Sequence, residues 1–393
     1  MQYRIDPKNG QSLSVLGFGC MRFTRKGGQI DQEKADREMK LALDLGVNYF
    51  DTAYIYPGSE VALGNFIAAH GCRDRLNIAT KLPQYRVKRR EDFDAFFDEE
   101  LKRLRTDHVD YYLMHMMNDA QSFERLRALG LEEWVASKKA SGQIRNIGFS
   151  FHGGTLQLKA LIDAWDWDFC QIQFNYLDEH SQAGIDGLRY AHEKGLPVII
   201  MEPLRGGKLV NALPRAAQRE FDAMSPKRSP ADWGLRWIWN HPEVTVVLSG
   251  MNDVSQVNEN CRIASESLPD ALSADELRLY DRVTAAIRSV TKVGCTGCGY
   301  CQPCPRGVDI PMCFSAYNTS YSDGLFTGMK EYMMCTTLRR VRSNAGLCVK
   351  CGKCEQHCPQ HLSIREHLDA VRRRLENPAY KIAAAVAPKF MRY

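Results

Sequence analysis

Short apolar runs alternate with amphipathic stretches from residue 13 to about residue 268. Eight of these runs have the length of buried strands, and helix-like stretches such as DQEKADREMKLALDLG separate them. The runs are SVLGFG (14–19), VNYFDT (47–52), LNIAT (76–80), VDYYLMH (109–115), IRNIGFS (144–150), FCQIQFN (169–175), LPVIIME (196–202) and VTVVLSG (244–250). Eight strands that each precede a helix predict an α/β fold, a closed (β/α)8 TIM barrel.

A doubly wound open sheet is the alternative for such an alternating pattern. That fold usually carries a Gly-x-Gly-x-x-Gly turn after its first strand, where the glycines let the backbone approach a pyrophosphate. Here Gly17 and Gly19 are followed by Arg22, which breaks that spacing. The pattern therefore favours the barrel.

The distribution of cysteines marks a second domain. The chain has 393 residues and 14 cysteines, and ten of the cysteines come after residue 290. A length of this size fits one large domain with a smaller one. We predict a barrel over residues 1–285, a small cysteine-rich domain over 286–375 and a C-terminal tail over 376–393.

Charge and hydropathy narrow the class of protein further. The formal net charge is +5, and basic residues are interspersed with acidic ones, which argues against a nucleic-acid partner. The opening segment MQYRIDPKNG is polar, and no apolar run reaches 18 residues, so no signal peptide and no membrane span are expected. We expect a cytoplasmic protein, whose cysteines stay reduced rather than forming disulfides.

Two cysteine runs dominate the second domain: CTGCGYCQPCP begins at residue 295 and CVKCGKCEQHCP at residue 348. Three cysteines spaced C-x2-C-x2-C wrap one [4Fe–4S] cube, and in two-cluster ferredoxins the fourth cysteine of each run ligates the other cube. We therefore predict two [4Fe–4S] clusters in a ferredoxin-like domain. One is assigned to Cys348, Cys351, Cys354 and Cys304, and the other to Cys295, Cys298, Cys301 and Cys358.

The first run departs from the usual spacing, because only Gln302 and Pro303 separate Cys301 from Cys304. This shorter spacing leaves open which cysteine serves which cluster. Structural zinc is the alternative for clustered thiols, but zinc sites favour two C-x2-C pairs separated by a loop. Two quartets that each end before a proline favour iron–sulfur clusters.

Four polar residues lie at or just beyond the ends of three successive predicted strands. Asp51 comes near the end of the second strand, Tyr56 follows in the next loop, Lys81 follows the third strand, and His115 ends the fourth. Catalytic groups of (β/α)8 barrels lie at the C-terminal ends of the strands. We therefore expect these four side chains to converge on one rim and to be catalytic.

This constellation resembles the aldo-keto reductase family. The D-x4-Y signature of that family is present as DTAYIY (51–56), its lysine as ATK (79–81) and its histidine as LMH (113–115). The resemblance covers about residues 10–268. Together with the cysteine runs, the chain resembles the iron–sulfur branch of the family, to which CMRF, IIMEPLRGGKL and EQHCPQH are also similar.

The resemblance gives each residue of the tetrad a role in hydride transfer to or from a carbonyl. The pKa of a free phenol is near 10, and a neighbouring ammonium favours the phenolate. Lys81 is therefore expected to lower the pKa of Tyr56, and Asp51 to hold the lysine. His115 is expected to orient the carbonyl, and Tyr56 to donate a proton to its oxygen as hydride arrives at carbon.

The resemblance also implies a nicotinamide dinucleotide, NAD(P)H, bound without a Rossmann domain. The residues it assigns to this cofactor are Ser150, Gln171, Met201, Glu202, Leu204, Gly206, Ser249, Gly250, Asn252, Gln256, Glu259 and Asn260. Two positions depart from the family, since Phe151 stands for the usual Asn and Met201 for the usual stacking aromatic. Asn252 and Gln256 give a 2′-phosphate no cationic partner, so the choice between NAD and NADP stays open.

These features predict an NAD(P)-dependent oxidoreductase that acts on a small carbonyl or alcohol. Its clusters would exchange electrons with a redox partner such as a ferredoxin or flavoprotein. One mismatch is that nicotinamide moves two electrons as hydride, whereas each cluster moves one, and the sequence has no recognisable flavin motif. The alternatives are an electron-transfer subunit whose barrel is a docking platform, which would not need the tetrad, and a nucleotide sensor, which would not need the cysteines.

Overall fold

The computed structural model describes residues 1–117, 119–338 and 341–386, and it divides into two compact units. The first unit comprises Met1–Leu204 and Ala231–Leu272. The second comprises Arg205–Pro230 and the described residues from Ser273 onward. The chain thus enters the second unit twice, first through a segment that directly follows the seventh strand of the barrel.

The first unit is a closed barrel of eight parallel strands in sequential order. The strands are β1 Leu16–Gly19, β2 Tyr49–Asp51, β3 Asn77–Leu82, β4 Val109–Met117, β5 Ile144–Phe151, β6 Phe169–Gln173, β7 Val198–Met201 and β8 Val244–Ser249. The pairing of β8 with β1 closes the cylinder. All eight predicted strands are present, and the predicted (β/α)8 fold is confirmed.

The α-helices alternate with these strands and continue through the second unit. They are α1 Gln32–Asp44, α2 Ser59–His70, α3 Glu91–Leu104, α4 Ala120–Arg127, α5 Leu131–Ala140, α6 Thr155–Asp163, α7 Gly184–Glu193, α8 Lys208–Asn211, α9 Arg215–Ala223, α10 Pro230–Trp239, α11 Val254–Glu266, α12 Ala274–Val290, α13 Ile310–Ser322, α14 Leu325–Tyr332, α15 Lys353–Gln356, α16 Ile364–Leu375 and α17 Pro378–Val386. Within the described part of the chain, none of these helices has the length and apolar character needed to cross a membrane.

The barrel interior is filled by side chains from the strands, as expected for a packed core rather than a pore. Tyr49, Tyr111 and Phe169 form part of this interior cluster, and all three are buried. Leu13, from an N-terminal hairpin that pairs Tyr3–Ile5 with Ser12–Ser14, joins the same cluster. The strands read as nearly continuous apolar runs because both of their faces are covered.

The second unit has a hydrophobic core of its own. Phe314 on α13 and Tyr332 on α14 are buried in it, together with Leu368 on α16. Helix α12 begins with a capping box, in which the side chains of Ser273 and Glu276 each accept a hydrogen bond from the other's backbone N–H group. This helix is continuous across residue 285, the predicted end of the barrel. The predicted tail, 376–393, contains α17, and its residues 387–393 lie outside the described residues.

Glu38 on α1 is a buried carboxylate in the first unit, where α1 packs against α11. Its two carboxylate oxygens have no hydrogen-bond partner among the described residues, and Lys34 Nζ lies 3.8 Å away. Burial raises the pKa of Glu38 to about 7, against the pull of Lys34 and with a further rise from Asp253. Ionisation of Glu38 therefore lowers the free energy of unfolding at neutral pH.

Glu38→Gln is expected to stabilise the barrel increasingly as pH rises. Between pH 4.5 and 7 the folded protein binds more protons at Glu38 than the unfolded chain, so wild-type stability falls as pH rises through this window. The variant lacks this loss and should gain roughly 2–3 kcal/mol relative to wild type between pH 4.5 and 8.5. Urea unfolding followed by tryptophan fluorescence reports on the barrel, because all six tryptophans lie in the first unit. A stability difference that does not change with pH would contradict this expectation.

Candidate active site and cluster domain

Lys81 and Asp51 form a buried ion pair at the C-terminal ends of β3 and β2. Lys81 Nζ donates to both carboxylate oxygens of Asp51 at 2.6 Å and to the Thr52 carbonyl at 2.7 Å. The Lys81 side chain has no exposed surface, and Asp51 is 4% exposed. Burial raises the pKa of the Asp51 carboxyl, and the Lys81 ammonium opposes that rise. The pair places a fixed cation in a site of low dielectric.

Tyr56 and His115 lie beside this cation. Lys81 Nζ is 5.1 Å from the centroid of the Tyr56 ring, and the Tyr56 and His115 rings meet edge to face with their centroids 5.9 Å apart. Burial lowers the pKa of His115 well below its usual value, and Lys81 and His152 lower it further. His115 is therefore a neutral imidazole. The structure brings all four residues of the predicted tetrad together at one rim.

A hydrogen-bonded turn fixes the loop that carries Tyr56. The Tyr56 N–H donates to the Ala53 carbonyl at 3.0 Å, and the Ser59 N–H donates to the Tyr56 carbonyl at 3.0 Å. The Ser59 hydroxyl donates to the Cys20 carbonyl at 2.9 Å and lies 2.7 Å from the Thr52 hydroxyl. The half-buried Tyr56 side chain is thus held between two strand ends, with access to solvent on one side.

Ser150 and Gln171 face each other on β5 and β6. Ser150 Oγ accepts a hydrogen bond from the Met116 N–H at 2.9 Å. Gln171 is buried with its Nε2 3.7 Å from Met201 Sδ on β7, and its Oε1 has no hydrogen-bond partner among the described residues. A buried amide oxygen without a donor is costly, so this position suits a ligand that brings an amide N–H.

The residues that follow β7 divide between the two units. The Glu202 carbonyl accepts a hydrogen bond from Asn175 Nδ2 at 3.2 Å, and Leu204 packs so closely on Gly234 that a Cβ there would lie 2.5 Å from Leu204 Cδ2. Gly206, with φ of +65°, lies in a turn that belongs to the second unit. The first unit therefore holds Met201, Glu202 and Leu204 together, and Gly206 is placed with the second.

The loop after β8 and the first turns of α11 carry the remaining candidate cofactor residues. Asn260 Nδ2 donates to Ser249 Oγ at 3.0 Å, and both side chains are buried. The Asn252 N–H donates to Gln256 Oε1 at 3.1 Å. Glu259 is half-buried on the same helix. These hydrogen bonds fix the conformation of the loop. Residues 250–260 include no lysine or arginine.

Two further residues of this rim are not singled out by the sequence pattern. His152 lies just beyond β5 and is buried, with its Nδ1 3.2 Å from Gln182 Oε1. It also contributes to the low pKa of His115. Arg22, just beyond β1, lies against Gly250, where a Cβ would be 3.2 Å from Arg22 Cδ. Each follows a strand end, and that position is the signal from which both residues could be found.

In the second unit, Cys295, Cys298 and Cys301 line one cavity together with Cys358 of the other run. Burial raises the pKa of the Cys301 thiol to about 12, and its three neighbours Cys295, Cys298 and Cys358 add to the rise. Phe314 closes one wall of this cavity. A thiol of the second run thus lies among the three thiols of the first.

The thiols of the second run show the reciprocal arrangement. Burial raises the pKa of Cys354 to about 11, and Cys348 and Cys304 are among the neighbours that raise it. Cys351 is the most exposed of the eight thiols. Cys304 of the first run thus lies near Cys348 and Cys354 of the second, the reverse of the placement of Cys358.

The two runs also share a backbone conformation. In the first run, Gly297 and Gly299 have positive φ, and in the second run Lys350 and Gly352, at the corresponding positions, have positive φ as well. In each run the N–H of the first of these two residues donates a hydrogen bond to the sulfur of the first cysteine at 3.4 Å. Lys350 adopts a backbone conformation that is unfavourable for a residue with a Cβ, which indicates that this position of the cysteine run requires the turn.

The donor sets fit a cluster better than a single ion. In the described part of the chain, no three or more His, Cys, Asp or Glu side chains are arranged to hold one metal ion. Four thiolates on zinc would meet about 2.3 Å from a common point, whereas a cube of iron and sulfide holds them farther apart. The cavity lined by Cys295, Cys298, Cys301 and Cys358 therefore suits an iron–sulfur cube.

Together these features define a barrel oxidoreductase joined in one chain to a two-cluster iron–sulfur domain. Residues 15–275 match the family model described as the Aldo/keto reductase family, and residues 294–362 match that of the 4Fe-4S dicluster domain. The chain belongs to the aldo/keto reductase family. The family, the enzyme class and the two-cluster domain predicted from the sequence are confirmed.

Relatives and solved structures agree with this assignment. An uncharacterized oxidoreductase of Bacillus subtilis, YrpG, is 27% identical over 317 residues, which cover 68% of this chain and 92% of that protein. L-galactose dehydrogenase of Arabidopsis thaliana is 27% identical over 320 residues, covering 74% of this chain and 97% of that protein. The structure of an aldo-keto reductase from Bacillus halodurans in its holo form superposes with a TM-score of 0.60 at 24% identity, covering 72% and 96% of the two chains, and shares the fold.

Proposed function

We propose that this protein is an NAD(P)-dependent oxidoreductase that interconverts a small carbonyl and its alcohol, with Tyr56 as the proton donor. The observation that carries the proposal is the buried Lys81–Asp51 pair beside the Tyr56 and His115 rings. A bound nicotinamide supplies the hydride. Lys81 lowers the pKa of the Tyr56 phenol, because a cation in a site of low dielectric favours the phenolate.

The other side chains of the rim prepare the carbonyl. His115 is neutral, so it donates one N–H to the carbonyl oxygen without competing for the proton of Tyr56. As the carbonyl carbon is reduced, its oxygen takes the phenolic proton, and alcohol oxidation returns that proton to Tyr56. Asp51 takes no proton itself and keeps Lys81 in place.

Several described contacts support a nicotinamide site at this rim. Gln171 Oε1 is a buried acceptor that a carboxamide N–H would satisfy, and Ser150 lies opposite it. A Klebsiella pneumoniae aldo-keto reductase of the same fold was solved in complex with NADPH. We propose Ser150, Gln171, Met201, Glu202, Leu204, Gly206, Ser249, Gly250, Asn252, Gln256, Glu259 and Asn260 as the cofactor residues.

We further propose that the clusters exchange electrons with a separate redox protein. Cys351 is exposed, and its neighbours Val349 and Lys353 are exposed as well. From residue 294 to the C-terminus the sequence has 14 basic and seven acidic residues, a net charge of +7, although the whole chain carries only +5. A basic domain with an exposed cluster ligand suits an acidic electron carrier, such as a ferredoxin or a flavodoxin-like protein.

Anaerobic mixing of the cluster-loaded protein with NADH or NADPH tests this function. We expect NAD(P)H oxidation that depends on an added carbonyl and, when the carbonyl is left out, bleaching of the cluster absorbance as NAD(P)H becomes NAD(P)+ and a proton and each of the two clusters takes one electron. Small aldehydes and sugar derivatives are the first substrates to screen, because relatives include a methylglyoxal reductase and a sugar dehydrogenase. Carbonyl-dependent oxidation with unchanged cluster absorbance would leave a plain reductase. If neither NAD(P)H oxidation nor bleaching occurs, the proposal is overturned, and a docking platform or a nucleotide sensor is favoured instead.

A further inference from the structure

Two cations contact the backbone at the first cysteine of the first run. Arg205 Nη2 donates to the Gly294 carbonyl at 2.9 Å, and Lys208 Nζ donates to the Cys295 carbonyl at 2.8 Å. A Cβ on Gly297 would lie 3.6 Å from Lys208 Cε, so the lysine stem runs along the loop between Cys295 and Cys298. All of these residues belong to the second unit.

An unusual turn brings the two cations next to the loop between Gly294 and Cys298. Arg205, Gly206 and Gly207 are three consecutive residues with positive φ, at 47°, 65° and 87°. Two glycines adopt this conformation freely, but it is unfavourable for arginine because of its Cβ. Arg205 is nevertheless 8% exposed, and its charge is directed inward. The turn brings Arg205 and Lys208 to adjacent carbonyls of the cluster loop.

The charge of a cluster determines what these cations do. A [4Fe–4S] cluster with four thiolates is anionic and gains one further negative charge on reduction. Net charge, hydrogen bonds and exposure set its reduction potential. A cation held in a partly buried position stabilises the more negative, reduced form, and solvent screens this effect less than at the surface.

Beside the other run, the Arg365 guanidinium lies against Gly352, where a Cβ would be 3.6 Å from Arg365 Cζ, but Arg365 is exposed and pairs with Glu355 at 2.8 Å. Lys350, in the corresponding loop, is exposed and pairs with Asp369 at 2.5 Å. Its charge is therefore largely balanced by a carboxylate and screened by water. The two clusters experience different electrostatic surroundings, although their ligand loops share one backbone conformation.

We propose that Lys208, supported by Arg205, raises the reduction potential of the cluster at Cys295, Cys298, Cys301 and Cys358 and makes it the first of the two to be reduced. This inference does not rest on the proposed hydride transfer.

A redox titration of Lys208→Gln followed by EPR tests the inference on the cluster-loaded full chain. Glutamine keeps a donor for the Cys295 carbonyl and removes only the charge. We expect the reduced-to-oxidised ratio of one cluster to fall roughly tenfold at a given potential, equal to about 59 mV for one electron, while the other cluster is unchanged. Lys208→Arg retains the charge and should retain the wild-type potential.

Lys350→Gln is the matched control in the second run, and we expect it to shift either potential by much less. The inference would be overturned if Lys208→Gln left both potentials unchanged, or if Lys208→Arg shifted them as much as glutamine does, since packing rather than charge would then be responsible. Should Lys208→Gln bind less iron than wild type, Arg205→Gln is titrated in the same way. An unchanged potential in that variant would also contradict the inference.

Discussion

Tyr56→Phe is expected to slow carbonyl reduction by roughly 10²- to 10⁴-fold, the usual contribution of a positioned general acid. The substitution removes one hydroxyl from a half-buried side chain and keeps the ring that packs against His115. The fold, the cluster content and nucleotide binding should therefore be preserved. The measurement is the anaerobic kcat of NAD(P)H oxidation with the best substrate of the carbonyl screen, at iron content equal to that of wild type.

Tyr54→Phe is the matched control for this experiment. Tyr54 lies in the same loop, but its ring packs against Phe96, with centroids 4.9 Å apart, and under Arg103 at 4.3 Å. Its hydroxyl has no part in the proposed proton transfer, so the variant should keep the rate within about twofold. If Tyr56→Phe retained more than about a tenth of the wild-type rate, the proton would have to come from another group.

Lys81 is a poorer target for the same question. Its ammonium is fully buried against Asp51, so its removal leaves an uncompensated carboxylate in the barrel. Breaking a buried ion pair in this way typically costs about 3–5 kcal/mol. A Lys81 variant would therefore lose activity through instability as well as through chemistry, whereas Tyr56→Phe separates the two.

The barrel and its rim follow from the sequence because both depend on local patterns. Strands such as Val198–Met201 are buried on both faces, so they read as continuous apolar runs. Asp51, Lys81 and His115 each come at the end of such a run, and the closed barrel brings successive strand ends together. Local pattern and global fold agree here, which is why four residues far apart in sequence are found in one place.

Other features depend on contacts that no local pattern encodes. Glu38 reads as a polar position of an amphipathic helix, and its burial follows from the packing of α1 on α11, more than 200 residues away. Lys208 lies in the motif IIMEPLRGGKL, but the motif does not indicate its contact with Cys295, which follows a turn of three consecutive residues with positive φ. Such tertiary contacts override the local pattern and become visible only in the folded chain.

Cys358→Ala is expected to abolish the cluster that the first run holds, although Cys358 belongs to the second run. The expectation rests on Cys358 lining one cavity with Cys295, Cys298 and Cys301. The variant should lose about half of the bound iron, or retain a damaged three-iron cluster, in either case removing one of two EPR signals. Cys295→Ala should remove the same signal, and Cys348→Ala the other. Cys335→Ala, which removes a half-buried thiol outside both runs, should leave both signals intact.

Double substitutions decide between the crossed arrangement and one confined to each run. If Cys358 and Cys295 ligate the same cluster, the double variant should lose no more iron than either single variant, because that cluster is already gone. Cys358→Ala combined with Cys348→Ala should then lose both clusters. The reverse result, with Cys358 and Cys348 acting as one unit, would place each cluster within its own run. The regular spacing of the second run predicts that each run supplies its fourth cysteine to the other cluster. The reverse result would mean that the short spacing between Cys301 and Cys304 prevents this.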